Sequence, residues 1–466
     1  VRIPRSGRGS RPPSRKQFIQ QIMSARKGFI AFLPLIVAGC MLVAATAVSS
    51  FFYNPSVAVY QCYANAFWYG AKTSQILPAN QCLFLPQLSQ YHSLPLEYPP
   101  LTLFIFSLPL VVPAASYGVT FALFMGLTVA IIYGLLLRYG PRGAGAFFAA
   151  CLLAGCLSTT LARFDIVPAA FTLGCLILAE RKQWTLAYMA LAMGVLMKLY
   201  PIVLFPLLFL AEQREQAGFF IPAARVRLKT VPGFLFQAIR NMGKWRWMNG
   251  LMFSGVVLGV TVFFWLVISH GAVSPFSYLY QRPFQVESTG SVLLWLVSIF
   301  GIPIDWQFSF GSVNTISPIA GGLSQGFVAL LWVGLIFIFI QQWRGKMDLV
   351  QAAVAALLVL LATSKVFSPQ YILWLIPLLA YCASDKGRMW LIWVGISILT
   401  TLIYPFYYAI MGPLNDPSLA PGFMPTIMVR NGLFVLLTIA YLFNFWNMQK
   451  RSTIDGLTEE PEREEH

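Results

Sequence analysis

The chain has 466 residues, of which 58% are hydrophobic, 15% aromatic and only 10% charged, against about 25% charged in an ordinary soluble domain. That is too little charge to coat a water-facing surface, so a string of soluble domains is excluded. The net charge of +16 is no nucleic-acid footprint, because the basic residues fall in short blocks between apolar runs, the orientation signal of a polytopic membrane protein.

Val1–Lys27 carries eight Lys or Arg and no acid, and Gly28–Phe51 is a continuous apolar run. Ala45-Thr46-Ala47 resembles a signal cleavage site, but the run exceeds the about 7–15 apolar residues of a cleaved signal and is expected as a retained first span. Further basic blocks follow at Arg138–Arg142, Arg181–Lys182, Arg214–Arg246, Arg344–Lys346, Lys386–Arg388 and Lys450–Arg463. With the first they hold 26 of the 32 basic residues. Putting all of them in the cytoplasm requires an even number of crossings between neighbouring blocks. Gln183–Ala211 must then go out and return, with a break at Lys198-Leu199-Tyr200-Pro201. Leu349–Ser384 must do the same around Lys365-Val366-Phe367-Ser368-Pro369. Each arm has about 12–16 residues, short for a full span at about 1.5 Å per residue. Short steep helices and re-entrant arms both satisfy that length.

The pattern therefore predicts an all-α polytopic membrane protein with about 12 transmembrane helices: 28–51, 117–138, 143–161, 166–180, 183–198, 200–211, 249–270, 324–343, 349–364, 369–384, 389–410 and 427–446. Leu101–Val112 and Val292–Ile304 are too short to span and read as juxtamembrane helices on the outer side. The organisation is a basic cytoplasmic tail (1–27), one membrane-embedded unit (28–446) with a first outer loop (52–116), and an acidic cytoplasmic tail (447–466). Both termini face the cytoplasm and the membrane is the plasma membrane. Cys62 and Cys82 share the outer loop in an oxidising compartment, but their spacing alone leaves a disulfide open.

Six basic residues remain outside the cytoplasmic blocks: Lys72, Arg163, Lys198, Arg282, Lys365 and Arg430. The acids on that side are Glu97, Asp165, Glu287, Asp305 and Asp416. Arg163, Lys198 and Lys365 each end an apolar helix. Snorkelling to headgroups explains any one of them; three at matching depth, two beside prolines, point to a functional site. Five short strings accompany them: Glu97-Tyr98-Pro99-Pro100-Leu101, Arg163-Phe164-Asp165, Lys198-Leu199-Tyr200-Pro201, Gln285-Val286-Glu287-Ser288 and Ser368-Pro369-Gln370-Tyr371.

In this order the strings resemble glycosyltransferase family 87, which includes polyprenyl-phosphate-mannose-dependent mannosyltransferases with the GT-C membrane fold. The resemblance spans about residues 28–446. It implies a polyprenyl-phosphate sugar donor, a lipid or glycan acceptor, and transfer on the outer face among membrane lipids of the cell envelope. Such a reaction needs a carboxylate to accept the hydroxyl proton and cations to stabilise the departing phosphate. Glu97 is the first candidate base and Asp165 the second. Arg163, Lys198, Arg282 and Lys365 are the candidate phosphate ligands. His92, Tyr98, Tyr200, Gln285, Glu287, Gln370 and Tyr371 are candidate substrate contacts, Glu287 by hydrogen bonds to sugar hydroxyls. One departure stands out: enzymes of this fold usually carry an Asp early in the first outer loop, and Gly28–Phe164 contains none. No Asp-x-Asp pair or His/Cys cluster indicates a protein-held metal, and no cofactor is expected. Two alternatives compete. A lipid-linked substrate transporter or flippase would also use broken helices, and a non-catalytic scaffold would explain the missing Asp.

Overall fold

In a computed structural model the described residues run from 55 to 443, omitting 79, 83, 86–93, 96, 218–239, 241, 269–273, 383–386 and 413–415. The expected first span, both tails and His92 lie outside them. The chain alternates apolar helices with short connections. In order these are α1 (Pro55–Tyr69), α2 (Thr102–Ser107), α3 (Tyr117–Tyr139), α4 (Ala144–Cys151), α5 (Leu157–Ala162), α6 (Ile166–Glu180), α7 (Trp184–Met197), α8 (Phe205–Ala217) and α9 (Met248–Ile268). There follow α10 (Ser274–Gln281), α11 (Thr289–Ser298), α12 (Ala320–Trp343), α13 (Leu349–Thr363), α14 (Ile372–Cys382), α15 (Gly387–Thr401), α16 (Tyr408–Met411) and α17 (Phe423–Leu442).

Five helices among the described residues are long and apolar enough to cross a membrane. Two of them, α9 and α12, show how they are solvated. Each is only 11% buried within the protein, and each turns Leu, Val, Phe and Trp outward, including Leu258, Phe263, Trp265, Leu330 and Trp332. Water would not tolerate so large an apolar face; lipid does. The short helices α13 and α14 are the reverse case. Ala352–Leu358 and Ile372–Leu379 are buried without interruption, so these helices are apolar all round because they form the centre of the bundle.

Contacts between helix termini define two ends. At the basic end Arg181 lies over the Tyr139 ring at 5.0 Å, Tyr381 meets Glu180, and Gln342 donates to the Leu207 carbonyl at 2.9 Å. At the opposite, loop end lie α1, α2, α10, α11 and the breaks that follow α7 and α13. After each break a proline opens the next turn. Lys198 is extended (φ −155°, ψ 135°) and Pro201 opens the next 3-10 turn, Tyr200–Leu204. Ser368 is likewise extended (φ −64°, ψ 149°) before Pro369, as a residue preceding proline prefers. A third interruption is a π turn, Leu152–Cys156, which brings Gly155 against Ser397. A Cβ there would sit 1.8 Å from the Ser397 carbonyl oxygen, so only glycine permits this approach.

One feature departs from the helical expectation. Phe284–Gln285 (β1), Asp305–Ser309 (β2) and Ser312–Ile316 (β3) form an antiparallel sheet in the order β1-β3-β2 at the loop end. Within the expected juxtamembrane stretch 292–304, α11 ends at Ser298 and the chain turns into β2. Gly290, at the start of α11, faces the Phe284 ring so closely that a Cβ would lie 2.2 Å from it. Cys62 and Cys82 are joined by a disulfide, which ties α1 to the loop after it.

Candidate active site at the loop end of the bundle

Asp165 stands at the N-cap position of α6 without capping it through its side chain, and is 1% exposed. Its Oδ1 accepts from Lys198 Nζ at 2.7 Å and from Trp374 Nε1 at 2.7 Å. Lys198 is encircled by rings, with Nζ 4.9 Å from the Phe164 centroid, 5.2 Å from Tyr98, 5.4 Å from Trp374 and 5.5 Å from Tyr371. The rings fix one another. Trp374 stacks between Tyr200 at 4.1 Å and Tyr371 at 3.9 Å, while Tyr98 meets Phe164 edge-on at 5.1 Å. A helix break, a helix junction and the loop before α2 thus close around one ammonium, through an ion pair and cation–π contacts.

Glu97 sits beside this cage and keeps a water-accessible edge. Burial holds its carboxyl above the usual carboxylate range, against the attraction of Arg282, Arg163 and Lys198 and a hydrogen bond from Tyr98. Three cations from three separate segments therefore act on one acid. Glu287 enters from the other side, in the turn between β1 and α11. Burial pushes its carboxyl up to about 7, opposed by Arg430, a hydrogen bond from Tyr408, Arg163 and Arg282. Arg282 is held by Ser312 in β3 at 2.7 Å, so the unforeseen sheet positions a predicted cation.

Not every candidate joins. Lys365 stands apart: its ammonium donates to the Tyr280 carbonyl at 3.1 Å, and its own carbonyl accepts from the Gln285 amide at 2.9 Å. Tyr200 spends its hydroxyl on Thr172 at 3.1 Å, and Gln370 accepts from Ser368 at 2.7 Å. Gln285 is buried, with its amide nitrogen 3.5 Å from the Glu287 carboxylate. Trp374 and Tyr408 carry no mark in the five strings. Trp374 had a signal, since it lies three residues after Tyr371 and so shares its helix face.

No protein-family model matches the chain, and no curated protein matches it. Among solved structures it is similar to ArnT from Cupriavidus metallidurans. Against the form bound to undecaprenyl phosphate the TM-score is 0.42 at 13% identity, and against the apo form 0.41 at 14%. In both comparisons the match covers 90% of this chain and 77% of that one.

The carboxylates differ in what they are free to do. Asp165 holds Lys198 and Trp374 on Oδ1 and leaves Oδ2 buried without a hydrogen-bond partner; the pairing on Oδ1 suits holding an ammonium in place. Glu97 has an open edge and a raised proton affinity, which suits receiving a proton. Glu287 carries a stability consequence. The folded state binds its proton more tightly than the unfolded chain, so this residue's contribution falls as pH rises from the ordinary carboxylate range through about 7. Glu287→Gln removes that slope. Between about pH 5 and about pH 8 the variant's Tm should drop less than the parent's; parallel melting curves in detergent at both pH values would contradict the assignment.

Proposed function

We propose that the protein is a membrane glycosyltransferase of the GT-C type. It moves a hexose, mannose, from a polyprenyl-phosphate donor to a lipid or glycan acceptor on the outer face of the plasma membrane. The observation that carries this is the convergence of Arg163, Lys198 and Arg282 on Glu97 at the loop end of an apolar bundle. Mannose and the family 87 assignment rest on the five strings and their order.

In the proposed reaction the acceptor oxygen attacks the anomeric carbon while the Glu97 carboxylate takes the hydroxyl proton. The bond from that carbon to the phosphate oxygen breaks, and its electron pair leaves on the phosphate. Arg163 and Arg282 meet the charge that develops there, where fixed cations are worth most. Lys198 adds to the field from its aromatic cage, and Glu287 and Gln285 hydrogen-bond sugar hydroxyls. The donor's lipid tail stays between helices in the bilayer, which accounts for cations at helix ends. A carrier would set its broken helices around a site near the bilayer midplane; here both breaks fall at helix termini.

The test is transfer of label from radiolabelled polyprenyl-phosphate mannose to membrane lipid extract by the purified protein. Absence of transfer, with a glucose- or aminosugar-linked donor accepted instead, would remove mannose; absence with every such donor would remove the activity. Orientation is tested separately. A cysteine at the exposed position of Lys72 should react with an impermeant maleimide in intact cells. Reaction only after the cytoplasmic face is opened would invert the topology.

A further inference from the structure

Arg430 lies in the first half of α17 and has no solvent exposure. A buried guanidinium on an apolar helix is expensive, and its hydrogen bonds show where it is used. Nη2 donates to the Glu287 carbonyl at 2.7 Å and to the Phe367 carbonyl at 3.3 Å. Nε donates to Asn431 Oδ1 at 2.9 Å, and Asn431 Nδ2 in turn reaches the Glu287 carbonyl at 3.0 Å. The guanidinium also stacks over the Phe367 ring at 4.4 Å.

These two carbonyls belong to segments far apart in the chain. One segment, 282–288, carries Arg282 and Glu287. The other, 364–371, is the break after α13 and delivers Tyr371 and, one turn on, Trp374 to the cage around Lys198. Among the described residues they are joined directly where the Gln285 backbone amide donates to the Lys365 carbonyl at 2.9 Å. Pairing of β1 with β3 fixes Phe284 and Gln285, but the Glu287 and Phe367 carbonyls accept from Arg430 and Asn431, and a buried carbonyl that loses its partner is costly. Nη2 of the guanidinium serves both carbonyls while Nε holds Asn431, a rigid planar set of donors that the single ammonium of a lysine does not reproduce.

We infer that Arg430, supported by Asn431, is a positioning residue that fixes the Arg282–Glu287 segment against the Lys365–Tyr371 break and so sets the geometry between the two halves of the site. Its part in turnover rests on the glycosyltransferase reading above; its part in holding the two segments does not.

Arg430→Lys keeps the charge but puts one ammonium on a shorter stem in place of the planar donor set, so the joint hold on Asn431 and the two carbonyls is lost. Amide exchange at 282–288 and 364–371 should speed up by about tenfold or more, while the cores of α13 and α14 exchange as in the parent. Mannosyl transfer should fall by about 10–10², the scale of a misplacement of about 1 Å, with the fall in kcat rather than in donor KM. Uniformly faster exchange across all helices would mean a merely structural arginine and overturn the inference. Unchanged exchange in the two segments would overturn it as well. If Arg430→Lys does not accumulate as folded protein, Asn431→Ala decides. It leaves the guanidinium in place and should loosen the same segments more weakly; no change there overturns the inference. Segment-selective loosening in a protein without transfer activity would leave the positioning role standing and count only against the proposed reaction.

Discussion

Replacing Glu97 by Gln should leave the fold intact and lower turnover by about 10²–10⁴, the usual worth of a general base. Glutamine has the size of the native side chain and still accepts from Tyr98, so the cage and the loop before α2 keep their packing. Only the proton acceptor is lost. The sign of the pH dependence follows from the same carboxyl. Burial holds it above the usual carboxylate range, and the base must be ionised to act. Transfer by the parent should therefore decline as pH falls through that raised value, and in the variant this acid limb should vanish. A Glu97→Gln protein that turns over within a few-fold of the parent would move the base to Asp165 or to another group.

The first outer loop carries no Asp, but α1 still reaches the candidate site. Tyr60 packs edge-on against Phe164 at 5.7 Å and Tyr98 at 6.1 Å, within electrostatic reach of Arg163. The proposed base, Glu97, stands at the far end of that loop, well after the disulfide-tethered α1 ends at Tyr69, and precedes the Tyr98-Pro99-Pro100 turn.

Charge counting made the two helix breaks legible because lipid leaves the chain few choices. Once the basic blocks are assigned to one side, the two long apolar runs must break, and Pro201 and Pro369 mark where. The structure breaks both runs there, and the resulting short helices lie packed inside the bundle, where length matters less than burial. The sheet has a local signal at its turn. Asp305–Ser309 and Ser312–Ile316 flank Phe310-Gly311, both at positive φ (53° and 67°), the two-residue turn that favours a hairpin. Hydropathy masked it, because a helix-length apolar stretch precedes it. Lys365 shows the opposite limit. It shares its depth and proline neighbour with Lys198, so composition treats the two alike. Only the fold shows one ammonium inside an aromatic cage and the other on a backbone carbonyl. Arg430 lacked any string around it, and its bonds to distant carbonyls leave no mark in local sequence.

Asp165 should behave as the structural carboxylate of the site, and its removal should cost stability first. In Asp165→Ala the Lys198 ammonium stays among four rings without its counterion, and the Trp374 N–H loses its acceptor. Breaking a buried pair from one side costs about 3–5 kcal/mol, which predicts a large fall in the melting temperature of the detergent-solubilised protein. Asp165→Asn keeps an oxygen for Trp374 and should fall between the two. The decisive comparison is the double variant Asp165→Asn with Lys198→Met. It removes both charges and keeps the volume, and replacing a buried pair outright is often close to neutral. Most of the lost stability should return, because methionine can fill the cage that the lysine stem leaves. If Asp165→Ala instead melts like the parent while losing about 10² or more in turnover, Asp165 is the reacting carboxylate, and Glu97 then serves to bind rather than to accept the proton.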